Sequence, residues 1–562
     1  MTVDKLETDT PHAKTRTSRA PRSQQNHCSS SITCVFFFFQ AEDGIRYSVA
    51  SRGLGEVYKS QGNIWRFARI AAANGGGEFL IAWIAFLFLW SIPIILLEFG
   101  MGRKTRSGPI KAFMEMMGPR WAWMGAFCVF VTTAITCYYC VVAGWTARYA
   151  LAAIFGEIPE NSPGAFWVSY TSSYSPILFH ALIIGSVSWI VLKGVKFIEK
   201  VTSILMPILI FLILVLTVRA LFLPGASQGL SFLFTIDWAN LAHPKIWVEA
   251  LIQNAWDTGA GWGLVLCYAA YMRKNEDTTL NAIMLPTANN IISLLAAIMV
   301  FSTVFSAVPQ LMEQAKTDPS VLNGLGSLGT AVENGAVFST ELMQKTVFNE
   351  GNKGITFIWM PQLFKTMVMG QFFMILFFSA LAFAAFTSMI AQVEVSTRSF
   401  VDAGMGRTKA VKIICVGVFV LGVPSAIWMP VLDNQDWVWG VALMLAGLFF
   451  AISVIPYGVK KFREENLNHS GSNIKIGRYW DIIIAFLAPS QMIFLLGWFA
   501  YDSYKSAPET WLHPFSSDNI YNVGTILFQW TIAIAVLMFL NKWIVRKITE
   551  HSNKLKAVEK KD

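Results

Sequence analysis

Apolar segments of about 20 residues, each long enough to cross a bilayer as a helix, recur along the chain with short polar stretches between them. They lie near 78–101, 121–155, 174–194, 201–223, 246–271, 281–307, 364–396, 410–429, 436–457, 480–501 and 522–545, with a shorter candidate at Gly62–Ala73. Helices are predicted throughout, because a lipid-embedded backbone must satisfy its own N–H and C=O groups. One segment breaks the pattern. Within 246–271 stands Gln253-Asn254-Ala255-Trp256-Asp257-Thr258-Gly259-Ala260-Gly261-Trp262-Gly263. A carboxylate at mid-membrane costs about 3 kcal/mol on insertion scales, so it faces a partner, a cavity or an ion. Glycines at alternate positions loosen the helix, and bare backbone at that depth is tolerated only around a protein-lined cavity. The pattern predicts a broken helix with an acid at its break, which is how a transporter builds an ion and substrate site.

Composition fixes the class as an all-α polytopic membrane protein. The 562 residues are 54% hydrophobic and only 14% charged, with 43 phenylalanines and a mean hydropathy of +0.49, outside the range of soluble domains. The net charge of +9 does not call for nucleic acid as a partner. Lys and Arg gather in alternate loops, at Arg103/Lys104/Arg106/Lys111, Lys193/Lys196/Lys200, Arg273/Lys274, Arg398/Arg407/Lys409/Lys412, Lys460/Lys461/Arg463 and the tail from Lys542. The loops at 155–176 and 223–244 hold none. Basic loops stay in the cytoplasm. Both termini are therefore expected there, in a multi-pass protein of the cell membrane with an even number of spans, which the candidate at Gly62–Ala73 supplies.

Four further features carry less. Cys128, Cys137, Cys140, Cys267 and Cys415 lie within spans and read as small apolar side chains; no metal or disulfide pattern is present. Gly324-Leu325-Gly326-Ser327-Leu328-Gly329 fits a dinucleotide fingerprint but lacks the preceding strand that would give it meaning. Asn468-His469-Ser470 is a glycosylation sequon on the cytoplasmic side, where it is expected to be silent. Residues 1–33 form a polar, basic tail expected to be disordered. Residues 34–61, with Phe36-Phe37-Phe38-Phe39-Gln40-Ala41-Glu42-Asp43-Gly44 and Gly55-Glu56-Val57-Tyr58-Lys59, resemble translated sequencing-adapter DNA fused in frame, a divergent genuine segment being the alternative. The transporter domain is then 62–546, followed by a cytoplasmic tail at 547–562.

Two sets of polar residues stand on single helix faces. Ala384, Thr387 and Ser388 follow i, i+3, i+4 spacing, so one face offers a carbonyl and two hydroxyls. Uncharged hard oxygens suit a monovalent cation; equally, such hydroxyls bond back to the preceding turn or help helices pack. Gln253 with Asp257, and Asn289 with Ser293, are i, i+4 pairs on neighbouring spans. Asp257 reads as an ion-site acid or as a structural acid satisfied by amides.

Gly62-Asn63-Ile64-Trp65-Arg66-Phe67 running into Asn74-Gly75-Gly76-Gly77, Glu98-Phe99-Gly100-Met101-Gly102-Arg103, the glycine-interrupted segment, Tyr268-Ala269-Ala270-Tyr271-Met272-Arg273-Lys274 and Ala384-Ala385-Phe386-Thr387-Ser388 resemble, in order and spacing, motifs of the neurotransmitter:sodium symporter family in its bacterial amino-acid transporter form. The resemblance runs from residue 62 to about 545. It implies two five-helix inverted repeats plus two further helices, natively about twelve, with broken helices 1 and 6 around a midplane site. The first half of helix 1 is the part replaced here.

The resemblance also implies roles. Ala384, Thr387 and Ser388 fall at one sodium site, and Asn63, Asp257 and Asn289 at the other. Gly62, Ile135, Tyr139, Trp256, Gly259, Trp262, Ser388 and Gln392 fall around the substrate, with Tyr139 donating to its carboxylate. Trp256 and Trp262 would frame an apolar slot for a neutral amino acid. Arg66, Asp436, Asp402 and Tyr271 fall at the gates; Arg66 would meet Asp436, and the arginine partner of Asp402 would lie in the N-terminal segment. Asp402 reads equally as a loop charge. Chloride-dependent members use the positions of Gln253, Asn289 and Ser293. This chain departs from them with Asp257 in place of a hydroxyl residue and Trp83 in place of a tyrosine, so chloride-independent transport is expected. The segment before Gly62 would supply carbonyls to both sodium ions, and Glu56 and Lys59 are poor tenants there.

The expected activity is sodium-coupled uptake of a neutral amino acid by alternating access, with Na+ as coupling ion, no organic cofactor and a monomer or homodimer in the lipid bilayer. The chain is not expected to be an enzyme. The rivals are a non-transporting amino-acid sensor or an ion channel on the same scaffold, a membrane-embedded enzyme, for which no catalytic set is present, and a non-functional chimera.

Overall fold

The computed structural model describes residues 62–159, 163–272, 276–318, 326–348, 351–365, 367–469, 472–516 and 519–559. The expectations for 1–33 and 34–61, and those on Arg273, Lys274, Gly324, Leu325 and Ser470, fall outside the described residues. The described residues are mostly helical, with no strand among them, as the apolar runs predict. Among the described residues ten helices are long and apolar enough to cross a membrane. With the shorter pieces needed below, the helices are α1 (Gly62–Trp65), α2 (Phe67–Ala73), α3 (Gly77–Thr105), α4 (Pro109–Met117), α5 (Pro119–Phe155), α6 (Ser175–Leu192), α7 (Val195–Leu221), α8 (Ala226–Phe234), α9 (Pro244–Thr258) and α10 (Leu264–Ala269). They continue as α11 (Thr278–Ala315), α12 (Gly370–Asp402), α13 (Arg407–Ile427), α14 (Met429–Ser453), α15 (Tyr479–Ser506) and α16 (Val523–Val558).

The one expected segment not among these ten, 246–271, is the divided one. Its helix runs to Thr258 and resumes at Leu264, so the break is narrower than the sequence pattern suggested: Asp257 closes the first half rather than sitting in the gap. The cause is local. Gly259, Gly261 and Gly263 have φ of 71°, 91° and 76°, a region open to glycine and costly for any residue with a Cβ. Residues up to Thr258 carry side chains and stay helical.

Burial sorts the helices into core and rim. In α5 the most apolar window is 83% buried and in α11 78%, against 28% in α15 and 33% in α16. Helix α5 packs along α12 and α14, and the broken pair α9/α10 packs against α3. Small residues permit the closest approach. A Cβ on Gly261 would lie 2.9 Å from Gly447 Cα, and a Cβ on Gly447 would lie 2.5 Å from Trp90 Cζ2. In lipid, where no hydrophobic force separates helix from solvent, such backbone contact is a main source of association.

Gly156 ends α5 at φ 68° with open space around its Cβ position, so Gly156→Ala is expected to cost only the backbone strain of about 1 kcal/mol. Gly261→Ala adds a collision with Gly447. Thermal unfolding of the detergent-solubilised protein, followed by size-exclusion, is expected to show a clearly larger loss for Gly261→Ala; equal losses would mean that the break is not packed against α14.

Candidate functional site at the helix break

The break leaves main-chain groups without helical partners in the middle of the bundle, and side chains from two other helices answer them. Glu98 of α3, fully buried, accepts hydrogen bonds from Gly261 N at 2.7 Å and Leu266 N at 3.2 Å. Thr132 Oγ1 of α5 donates to Trp262 O at 2.9 Å. Within the segment, Trp262 Nε1 donates to Ala255 O at 3.0 Å, stapling α9 across the gap. Together these bonds satisfy main-chain groups that the break frees from helical pairing and hold the irregular backbone in one shape. Sequence reasoning quoted Glu98 in a motif but gave it no role. The cost rule that singles out Asp257 applies equally to it.

On the other side of α9 lies a polar cluster. Asp257 is buried, and its Oδ2 accepts from Ser293 Oγ of α11 at 3.2 Å. Among the described residues Asp257 Oδ1, Gln253 Nε2 and Trp83 Nε1 meet no hydrogen-bond partner. Asn63 Nδ2 of α1 donates to Asn289 Oδ1 at 2.8 Å and to Asn289 O at 3.3 Å. Arg66 donates to Gln253 Oε1 and sits 5.9 Å from the Trp256 ring centroid. The proposed sodium residues Asn63, Asp257 and Asn289 are thus gathered around α1, α9 and α11, with Gln253 and Ser293 between them.

The second set is arranged differently. Thr387 Oγ1 and Ser388 Oγ both donate to Ala384 O at 3.0 Å. The hydroxyls bond back along α12, as Ser and Thr in membrane helices commonly do. One carbonyl and two hydroxyls are drawn together on one face, with Ala384 and Thr387 fully buried.

A cavity of about 360 Å³ connects these elements. Gly62, Tyr139, Trp256, Gly259, Trp262, Ser388 and Gln392 line it, together with Asp257, Arg66 and Asp436. Ile135 does not: it is buried in packing on α5. The indoles of Trp256 and Trp262 meet edge to face, centroids 5.4 Å apart at 77°, and form an apolar wall beside the carboxylate. From the break the cavity extends past Arg69 to Asp433, Asp436 and Tyr521, at the end opposite the basic loops. Arg66 and Asp436 both face it; Arg66 donates its hydrogen bond to Gln253 while interacting with the Asp436 charge through space. Beside them Lys353 pairs with Asp433 at 2.5 Å.

Asp402 and Tyr271 lie at the opposite, basic end, away from the cavity. Asp402 Oδ2 accepts from Gly108 N at 2.5 Å, and Tyr271 Oη donates to Glu394 Oε1 at 3.3 Å. Among the described residues no cluster of three or more His, Cys, Asp or Glu could hold a metal ion. The donor set here is carbonyl, amide, hydroxyl and one carboxylate, suited to a hard monovalent cation rather than to a transition metal.

Comparison with known proteins follows the same line. The model of the sodium:neurotransmitter symporter family matches residues 55–175 and 173–551. A sodium-dependent transporter of Methanocaldococcus jannaschii is 29% identical over 450 residues, covering 76% of this chain and 84% of that protein. The sodium-dependent transporter YhdH of Bacillus subtilis is 26% identical over 456 residues, 77% of this chain and 92% of that one. Among solved structures, MhsT in complex with L-phenylalanine superposes with a TM-score of 0.67 at 26% identity, covering 80% of this chain and 98% of that chain. With the divided helix, the midplane cavity and a family match over most of its length, the chain belongs to the sodium:neurotransmitter symporter family, a family of sodium-dependent secondary transporters and not of enzymes.

Proposed function

We propose that this transporter moves a neutral amino acid into the cell with sodium, independently of chloride, by alternating access in the plasma membrane with both termini cytoplasmic. The observation that carries the reading is Asp257: a buried carboxylate beside Gln253 and Ser293, whose Oδ1 meets no hydrogen-bond partner within 3.5 Å among the described residues, lining the same cavity as Gly62, Gly259 and Ser388. A buried negative charge in a membrane needs a cation. With Asn63, Asn289 and the substrate's own carboxylate it makes an oxygen cage for one sodium ion. Ala384, Thr387 and Ser388 supply part of a second.

The substrate class follows from the walls. Trp256 and Trp262 offer an apolar face, Tyr139 a phenol for the substrate carboxylate, and MhsT holds L-phenylalanine in its own structure. Gln253, Asn289 and Ser293 surround Asp257 on α9 and α11, so a fixed charge stands where an anion would otherwise be required.

Proteoliposomes are expected to accumulate a neutral amino acid under an inward sodium gradient, equally in chloride and gluconate. A sensor would bind without accumulation, and a channel would pass ions without coupling. Replacing residues 34–61 by a Gly/Ala-rich apolar segment is expected to strengthen uptake, because such a composition suits the missing half of a membrane helix and Glu56 and Lys59 do not. Asp257→Ser is expected to make uptake chloride-dependent by on the order of tenfold, roughly 1.4 kcal/mol. Strong chloride dependence with Asp257 intact would contradict this. Thr387→Ala with Ser388→Ala is expected to raise the sodium concentration for half-maximal uptake by at least about tenfold; an unchanged value would remove the second site.

A further inference from the structure

The basic end of the bundle is tied by one side chain that no motif assigns. Arg398 stands in the last turn of α12, four residues before Asp402. Its Nη1 donates to Tyr271 Oη at 3.0 Å, its Nη2 to Arg106 O at 2.8 Å, and its Nε lies 3.2 Å from Asp402 Oδ1. The guanidinium carbon also lies 5.1 Å from the centre of the Tyr271 ring. Two hydrogen bonds and one ion pair, to three segments, therefore converge on one planar group: the residue beyond α10, the loop between α3 and α4, and α12 itself.

The neighbouring bonds close the same seam. Asp402 holds Gly108 N at 2.5 Å, and Arg106 donates to Ala270 O at 3.3 Å and to Met272 O. A Cβ on Gly108 would sit 3.1 Å from Asp402 Oδ2 and 3.2 Å from Arg398 Cγ, so loop and helix touch. Tyr271 passes the chain on to Glu394, whose carboxylate Arg407 holds at 2.6 and 2.9 Å. The arginine that the resemblance implies for Asp402 lies in the N-terminal segment, outside the described residues; among those described, Arg398 of Asp402's own helix pairs with it.

We propose that Arg398 is the clasp of the gate at the basic end, the residue whose bonds must be released before α10 and the Arg106–Gly108 loop can part from α12. A guanidinium can donate to two separate acceptors from its fixed fork while pairing with a carboxylate, whereas an ammonium acts as a point charge. Because the Asp402 contact is within α12, it orients Arg398 and persists through the motion. The Tyr271 and Arg106 contacts are the ones broken. The role of this clasp in transport rests on the alternating-access reading; the clasp itself does not.

Cys267 reports on it. This buried cysteine of α10 lies between the glycine break and Tyr271, and it becomes reachable when the seam opens. Alkylation of the full chain by a membrane-permeant maleimide, without substrate or ion gradient, is read at the Cys267 peptide by mass spectrometry. Arg398→Gln is expected to raise its rate about tenfold by shifting the open population. Tyr271→Phe is expected to raise it less, and the double variant to be no faster than Arg398→Gln alone, the non-additivity of groups acting on one contact. Arg398→Lys is expected to fall between. Unchanged rates in Arg398→Gln and Tyr271→Phe, or additive effects, overturn the proposal. Should Arg398→Gln not fold, unchanged rates in Arg398→Lys and Tyr271→Phe overturn it equally. Failure of the wild-type protein to accumulate amino acid would sink the symport reading and leave this measurement readable.

Discussion

A backbone inside a membrane has no water to satisfy it, and this protein interrupts a helix there. The carboxylate of Glu98 makes that possible, taking the amides of Gly261 and Leu266 at 2.7 and 3.2 Å. An unmade hydrogen bond at this depth would cost several kcal/mol, so the acid and the break stand or fall together. The glycines supply the geometry and Glu98 the partner. Everything placed around the gap, from the Trp256–Trp262 wall to the Asp257 cluster, inherits its position from that pairing.

The two acids of the core do opposite work. Glu98 has both oxygens engaged by the main chain and is structural. Asp257, across α9, lines the cavity beside Gln253 and Ser293, and is the acid proposed above to meet a cation. The ends differ as well. Around Asp402 and Tyr271, bonds converge on Arg398 and join three segments. At the other end the cavity runs between Arg66 and Asp436, with Arg66 engaged by Gln253. One side tied and the other lined by a cavity is the asymmetry that an alternating-access cycle requires of any single state.

Much of this was legible in the residues themselves, for identifiable reasons. A polar residue in a 20-residue apolar run is costly, so Asp257 announces itself, and alternate glycines announce a gap. Helical spacing put Ala384, Thr387 and Ser388 on one face; it could not say that both hydroxyls turn back to Ala384 O. Ile135 and Tyr139 share a face by the same spacing, yet only Tyr139 reaches the cavity, because rotation of a helix about its axis is decided by neighbours. Glu98 was visible as an intramembrane acid, but its amide partners lie 163 and 168 positions away and only the fold unites them. Arg398 read as one more positive charge near a loop. Charge patterns assign a side of the membrane; they do not assign a partner.

The central claim is that sodium and substrate share one set of oxygens at the helix break, and linkage tests it most directly. If a sodium ion is held partly by the substrate carboxylate, sodium must tighten substrate binding, and substrate must tighten sodium binding by the same factor. Binding of a radiolabelled neutral amino acid to the purified protein, titrated over sodium concentration with choline as replacement, measures the first factor; a sodium titration with and without the amino acid measures the second. The account predicts that the two agree and exceed about tenfold, 1.4 kcal/mol of coupling. Amino-acid binding equally strong in sodium and in choline would contradict it.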